Sequence, residues 1–471
     1  MRILLPSDVF PPGFGGAGWS AHALAVALIE RGHDVTALVP RLGTPGVTHE
    51  QVLGVPTIRW GHRAPHFPFV RNYFRHEWLW PRFADVLVEL ATTDHRPTTA
   101  EDRGWKIEDS NVSKDDTLSS ILYPLSSHTP SILIHAQHVQ TAPPAIIAGR
   151  RLGVPVVVTV RDHWPWDYFA TGLHGDRLPY RGQTWASLAT DLVARLGPVR
   201  GAAALPAIPY MLAHLRRRQR FLRQADAVVA VSDYVARRLD GIVAPERVHI
   251  IPNMLDLAAI AETCAAPPAS IPPGQPYLLF VGKLERNKGA HLLVDIFRAL
   301  ADERRRTKDE GQMRGQVDSS FVPELVIAGS GPLRPAIERD LAALGVRARF
   351  LDWVGHDEVL RLMAHCTLLL FPSTWGDTLS RVLLEGVACG APILAMPTGG
   401  TPSIIVDGVD GAIEPTVAGF ARRLVALLEQ PERRRALGAG ARRATRERFE
   451  KSVVVGQIEA LYCSLVRQGD E

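Results

Sequence analysis

The chain has 471 residues, 46% apolar and 22% charged, with a formal net charge of +4. That length implies two domains with a core each, and the composition is that of an ordinary globular enzyme, not a disordered or fibrous chain. No apolar run reaches the roughly 18 residues of a spanning helix. No nucleic-acid motif accompanies the mild basicity, so an anionic ligand or membrane surface stays open as a partner and nucleic acid does not.

Residues 2–6 read as a strand, 12–18 as a Gly-rich turn, 20–31 as a helix closed by Gly32, and 33–40 as a second strand. This is a Rossmann-like opening without the Gly-x-Gly-x-x-Gly fingerprint. Its first strand is too short for a secretory leader. Cys264, Cys366, Cys389 and Cys463 show neither disulfide nor metal spacing, so reduced structural thiols and a cytoplasmic setting are expected.

The polar segment 91–130 reads as a loop insertion or disordered stretch. Strands follow at 131–135, 155–160, 227–231 and 248–251, with a helix at 145–152 and another from Ser232. Residues 184–223 are apolar, dotted with Arg and interrupted by Gly197, Pro198, Pro206 and Pro209. They read as helices packed on the first domain or, alternatively, as an interfacial membrane element.

The Pro-rich stretch 266–276 reads as a linker. A second strand–helix series then begins at 277–281 and continues with strands at 325–328, 346–351, 368–371 and 393–395. The Arg-rich segment 432–448 reads as a solvated helix face. Alternation in both halves predicts an α/β chain of two doubly wound domains, 1–265 and 277–450, facing across a cleft.

Two segments carry the chemistry. The strand ending at Phe371 turns at Pro372-Ser373 into a helical pattern from near Thr378, with Asp377 just before it and Glu385 about two turns inside. A helix N-terminus at the carboxyl end of a parallel strand attracts anions, and carboxylates beside it accept hydrogen bonds from hydroxyls. The combination suits a ligand with phosphate and polyol parts, as a sugar nucleotide has. In the second segment, 280–289, Lys283 and Lys288 bracket a short loop before an apolar helix, where phosphate would meet two point charges and a helix dipole.

The stretch from Phe371 to Ala395 resembles the signature of the retaining family-4 glycosyltransferases, Pro-Ser…Glu-x-Phe-Gly-Leu…Glu-Ala…Cys-Gly-x-Pro. Asp377 stands in place of the first Glu and Ser380 in place of Gly, and Trp375 and Leu379 also depart from the common form. The resemblance implies the GT-B fold, with the last helix (451–471) crossing back to the first domain. It implies a hexosyl-type transferase acting with retention of configuration. Its donor would be a nucleoside-diphosphate sugar bound as a substrate, with no cofactor and no metal. The nearest thing to an Asp-x-Asp site is Lys114-Asp-Asp-Thr, inside the expected insertion.

Residue by residue, the resemblance assigns the donor diphosphate to Lys283 and Lys288, the ribose hydroxyls to Glu385 and the donor sugar to Asp377. It assigns phosphate or sugar oxygens to the backbone at Leu379 and Ser380, and a close nucleotide approach to Gly282 and Gly331. Val354 would meet the base and Gly16 of the Phe14-Gly-Gly loop the donor and acceptor. His138 would meet the donor sugar, with His135 as runner-up. Asn253 bounds the cleft, although Met254 replaces a usual Gly; Arg161 replaces a usual His, and Ser403 a usual acid.

Sugar-nucleotide 2-epimerases share the architecture and remain an alternative, as does a non-catalytic glycan-binding subunit. The acceptor would be a hydroxyl compound. Segment 184–223 raises a lipid-linked or polysaccharide acceptor and a peripheral contact with the inner face of the membrane.

Overall fold

The computed structural model describes residues 1–12, 16–66, 68–93, 131–173, 182–309 and 323–469. The expected insertion beyond residue 93, including Lys114-Asp-Asp-Thr, lies outside the described residues, as does Phe14.

The first sheet contains β1 (Arg2–Pro6), β2 (Asp34–Leu42), β3 (Gly46–Val52), β4 (Val55–His62), β5 (Ile132–Ala136), β6 (Val156–Val160), β7 (Ala227–Ala230) and β8 (Val248–Ile250). Their order is β3-β4-β2-β1-β5-β6-β7-β8. The second contains β9 (Tyr277–Val281), β10 (Glu324–Ala328), β11 (Ala348–Asp352), β12 (Leu368–Phe371), β13 (Ile393–Ala395) and β14 (Ala412–Ile413), in the order β11-β10-β9-β12-β13-β14.

Central strands such as Val-Val-Val-Thr-Val of β6 and Leu-Leu-Leu-Phe of β12 are buried along their whole length. Continuous apolar runs of this kind belong to parallel sheets covered by helices on both faces. The exception is β3, antiparallel to β4 and mostly exposed. Its polar sequence gives little apolar signal. The turn at Leu53-Gly54 has φ of 49° and 85°, the positive values that a tight hairpin requires at both central positions.

The helix Lys451–Gly469 packs Val454, Val455, Ile458, Leu461 and Tyr462 into the core beneath β1, β5 and the helix Gly16–Glu30. His135 is fully buried there, Nδ1 2.5 Å from the Tyr462 hydroxyl and Nε2 2.6 Å from Thr159 Oγ1. Burial, then the charge of Arg161, pushes its pKa down to about 3, so the ring is neutral. Glu459 accepts from Arg31 at 3.0 Å and from His33 at 2.8 Å on the rim of the same contact.

Residues 184–223 form the helices Trp185–Leu196, Pro198–Ala204 and Ile208–Leu222, with a small core of Leu188, Leu192, Ala204, Ile208 and Met211 against Tyr168. Thr184 caps the first through a reciprocal bond with Ser187. Beneath the third, Glu77 accepts from His214 Nδ1 at 2.5 Å and Tyr210 at 2.9 Å, and Arg218 Nε donates to His214 Nε2 at 2.7 Å. Trp185 and Val199 remain exposed. Among the described residues, no helix is long and apolar enough to cross a membrane. The stretch 266–276 has no regular structure and is held to the second domain through Ala269 N and Ser270 N, which donate to Glu358.

Because the unfolded chain takes up a proton near pH 6.5 that folded His135 refuses until about pH 3, its contribution to stability is complete above pH 6.5 and is lost as pH falls toward 3. We expect urea unfolding to show a slope that His135→Gln reduces by up to about 1.4 kcal/mol per pH unit in that window. An unchanged slope in the variant would contradict a buried neutral ring.

Candidate active site

The carboxyl ends of β9, β10 and β12 carry three loops that pack on one another. Gly289 has φ of +72°, and a Cβ there would collide with the Pro372 carbonyl, so the loops after β9 and β12 touch backbone to backbone. Gly282 and Gly331 belong to the same junction: Gly282 N donates to Ala328 O at 3.1 Å, and Leu284 N to Ser330 O at 3.0 Å. Lys283 projects from this turn, exposed.

Lys288 Nζ donates to Asp377 Oδ2 at 3.1 Å and stands 4.2 Å from the centre of the Trp375 ring. Both side chains of the pair remain partly accessible. An ion pair of this kind adds about 0–1 kcal/mol and a cation–π contact about 0.5–1 kcal/mol, so their effect is to aim the ammonium more than to hold the fold.

The helix after this loop starts later than the sequence suggests, at Arg381, with Ser380 as its cap. Ser380 Oγ accepts from Leu383 N at 3.5 Å. Asp377 is therefore not the cap, and Glu385 lies one turn into the helix, not two. Leu379 faces the core, so its side chain is unavailable to a ligand.

Glu385 is 5% exposed, and its Oε1 accepts from Arg381 Nε at 2.6 Å and His356 Nε2 at 2.8 Å. Burial pushes this carboxyl up, but His356 and Arg381 more than reverse the effect and hold it below its usual range. The hydrogen bond to Glu385 in turn lifts the His356 pKa against its desolvation. His356 follows Val354 and Gly355 on the turn after β11, which brings that turn to the acid; Val354 itself is half-buried. Neither Arg381 nor His356 was singled out from the sequence. Arg381 at four residues before Glu385 was readable as a helical ion pair, whereas the His356 contact spans 29 positions and two loops.

The first domain presents the other wall. A Cβ on Gly16 would lie 3.8 Å from Arg381 Cδ, which sets the start of the helix Gly16–Glu30 opposite the Glu385 helix. His138, after β5, has Nε2 3.1 Å from Asp162 Oδ2 and Nδ1 3.5 Å from Asp8 Oδ1. Burial opposes its charge, yet Asp8 and Asp162 prevail and raise its pKa. The runner-up His135 points away, into the core. Asn253 Oδ1 accepts from Arg161 Nε at 3.0 Å, and Gln137 Oε1 accepts from Arg161 Nη1 at 2.5 Å, so Asn253 sits on the first-domain floor beside Arg161.

The walls are joined through His163, whose Nε2 donates to Gly376 O at 2.8 Å and whose charge environment includes both Asp162 and Asp377. The site thus places Lys288, Asp377, Trp375, Ser380 and Glu385 on one side of a cleft and Gly16, Asp8, His138 and Asp162 on the other. Among the described residues no group of three His, Cys, Asp or Glu is arranged to hold a metal ion. Such an arrangement can bind a phosphorylated polyol: cations and a helix N-terminus for phosphate, carboxylates for hydroxyls.

Glu385→Gln should lower the His356 pKa toward that of a free histidine, read by NMR titration of the imidazole. A His356 pKa unmoved by the substitution would mean that the hydrogen bond between them does not form.

The chain matches the model described as glycosyl transferase 4-like domain over residues 15–254 and the model described as glycosyl transferases group 1 over 266–444. It is 27% identical over 279 residues to a D-inositol 3-phosphate glycosyltransferase of Xylanimonas cellulosilytica, a match that spans 53% of this chain and 60% of the relative. It is 24% identical to a glycogen synthase of Mycobacterium tuberculosis across 99% of this chain and 95% of the relative. The structure of Anabaena Alr3699/HepE in complex with UDP superposes with a TM-score of 0.60 at 16% identity, covering 99% of this chain and 100% of that one, so the two-domain arrangement described above is the GT-B fold. Since the first of the two family models alone accounts for more than half of the sequence, the chain belongs to the group 1, family-4-like glycosyltransferases.

Proposed function

We propose that the chain moves a sugar from a nucleoside-diphosphate sugar to an acceptor hydroxyl with retention of configuration. The observation that carries this reading is Lys288, aimed by Asp377 and Trp375 at the mouth of three parallel strands, one loop away from a capped helix N-terminus. That the Anabaena neighbour is bound to UDP supports a nucleotide donor here.

In this reading the donor diphosphate lies between Lys283, Lys288 and the backbone N–H groups around Leu379 and Ser380. As the anomeric C–O bond breaks, negative charge accumulates on the departing diphosphate. A fixed ammonium lowers the energy of that state more than that of the intact donor, which is the requirement for catalysis. The cations serve where other enzymes use a divalent ion, and the donor is a substrate, so neither metal nor cofactor is needed. Glu385 keeps its second carboxylate oxygen, Oε2, to accept the ribose hydroxyls, since Oε1 already accepts from Arg381 and His356. Gly282, Gly331 and Val354 shape the nucleotide side, and Gly16 closes on the phosphates from the other domain.

His138 faces the donor sugar from the first domain, and Asp377 meets the same sugar from below. In this reading no carboxylate acts as a nucleophile: the acceptor attacks on the face the diphosphate leaves, and a diphosphate oxygen takes its proton. The acceptor is a carbohydrate or a lipid-linked sugar. The exposed Trp185, Val193, Leu196 and Val199, near the exposed Arg200, would let the first domain rest on an anionic membrane while it takes such an acceptor.

Lys288→Ala should lower turnover more than about a hundredfold, the scale of losing one preorganised donor, measured as acceptor-dependent release of nucleoside diphosphate. Near-normal turnover in that variant would place the stabilisation elsewhere. Anomeric NMR of the product should show the donor's configuration, and a trapped covalent glycosyl-enzyme would overturn the front-face route. Conversion of the donor without any acceptor would identify an epimerase instead.

A further inference from the structure

Beyond β4, the helix Pro68–Arg75 carries Arg71 and Arg75 one turn apart on the cleft side of the first domain. Arg71 is exposed and Arg75 half-buried, and neither makes a hydrogen bond or ion pair with any described residue. Among the described residues the charges acting on Arg75 are Arg71, which repels it, and Asp8, which attracts it. Asp8 is already shared with His138, which takes up its charge. The helix is tied to the cleft: Asn72 Nδ2 donates to the Tyr168 hydroxyl at 3.4 Å, and the loop bearing Tyr168 reaches the second domain where Trp375 Nε1 donates to Thr171 O at 2.8 Å. Asp8 Oδ1 and His138 Nδ1, between this helix and the donor side, are buried with no hydrogen-bond partner.

Two guanidinium groups without a partner among the described residues, near a carboxylate whose Oδ1 makes no hydrogen bond and is held only by the longer ion pair with His138, describe a ligand with a strongly anionic end and a hydroxyl end. A phosphate monoester carries about −1.5 to −2 charges at neutral pH and accepts in the forked geometry that arginine donates; a single carboxylate balances only half of the pair. We propose that Arg71 and Arg75 form a phosphate subsite for the acceptor, which directs the acceptor's hydroxyl toward Asp8 and His138. This deepens the glycosyl-transfer reading and rests on it.

The proposal separates from that reading by experiment. With the full chain and saturating UDP, so that the donor phosphates are occupied, calorimetric titration of inorganic phosphate should give saturable binding that R71Q/R75Q weakens about tenfold or more, while R75K retains most of it. Glucose 6-phosphate bound by the wild type but not by the double variant would identify a soluble phosphosugar as the acceptor class. The same pattern with phosphatidylglycerol vesicles, and not with the sugar phosphate, would identify a lipid phosphate. Equal affinity of wild type and R71Q/R75Q for all three probes would overturn the subsite. UDP binding is read separately: its failure counts against the donor reading and leaves the comparison between the arginine variants intact.

Discussion

The site depends on how the loop after β12 satisfies its backbone. Gly376 O accepts from His163 Nε2 at 2.8 Å, Thr378 Oγ1 donates to Arg161 O at 2.5 Å, Ser232 Oγ donates to Thr378 O at 2.5 Å, and Trp375 Nε1 donates to Thr171 O at 2.8 Å. All four bonds cross from one domain to the other. Backbone carbonyls left unpaired away from water cost stability, so the first domain helps to hold this loop in its shape. A side chain at Gly376 would come within 2.7 Å of the Tyr234 hydroxyl, which is why the approach is made by backbone. Since Trp375 and Asp377 flank that glycine, the same four bonds decide where Lys288 points.

The parallel strands were legible because a strand buried on both faces must be continuously apolar, and the place of Lys283 and Lys288 at the carboxyl end of β9 was legible because they stand in register with a known pattern. The β3–β4 hairpin was not, since a mostly exposed edge strand writes no apolar alternation into the chain. The choice between His135 and His138 could not be made from two histidines three residues apart. What the structure adds is Tyr462, more than three hundred positions away, which holds His135 in the core. His356, Asp8 and Asp162 escaped for the same reason: each matters through a partner on a different strand-end loop, and lone polar residues in loops have no period. Cys264 and Cys389, unremarkable in sequence, meet with their sulfurs 3.4 Å apart, joining the end of the helix Leu257–Cys264 to the end of the Glu385 helix.

The departures from the family pattern follow from local chemistry. A glycine is valuable where φ must be positive, but Ser380 has φ of −65° and uses its hydroxyl to cap the helix. The backbone N–H groups beyond it stay at the helix start, so the anion-attracting end survives the substitution. The shorter Asp377 still reaches Lys288 because the loop places its backbone close, with Asp377 O taken by Gly400 N at 2.7 Å.

Ser403 shows a different solution. Where relatives carry an acid, this serine donates to Asp233 Oδ2 at 2.8 Å and accepts from Asp233 N at 3.2 Å. The carboxylate is therefore present at the interface but supplied by the first domain, at the start of the helix Asp233–Leu239, where the helix dipole favours it. An acid on the second domain would remain in place however the domains move. One on the first domain reaches this position across the domain interface, as His163 and Ser232 do. The substitution at 403 thus adds to the dependence already set by the loop after β12: the cleft acquires its full set of polar groups only when both domains contribute them.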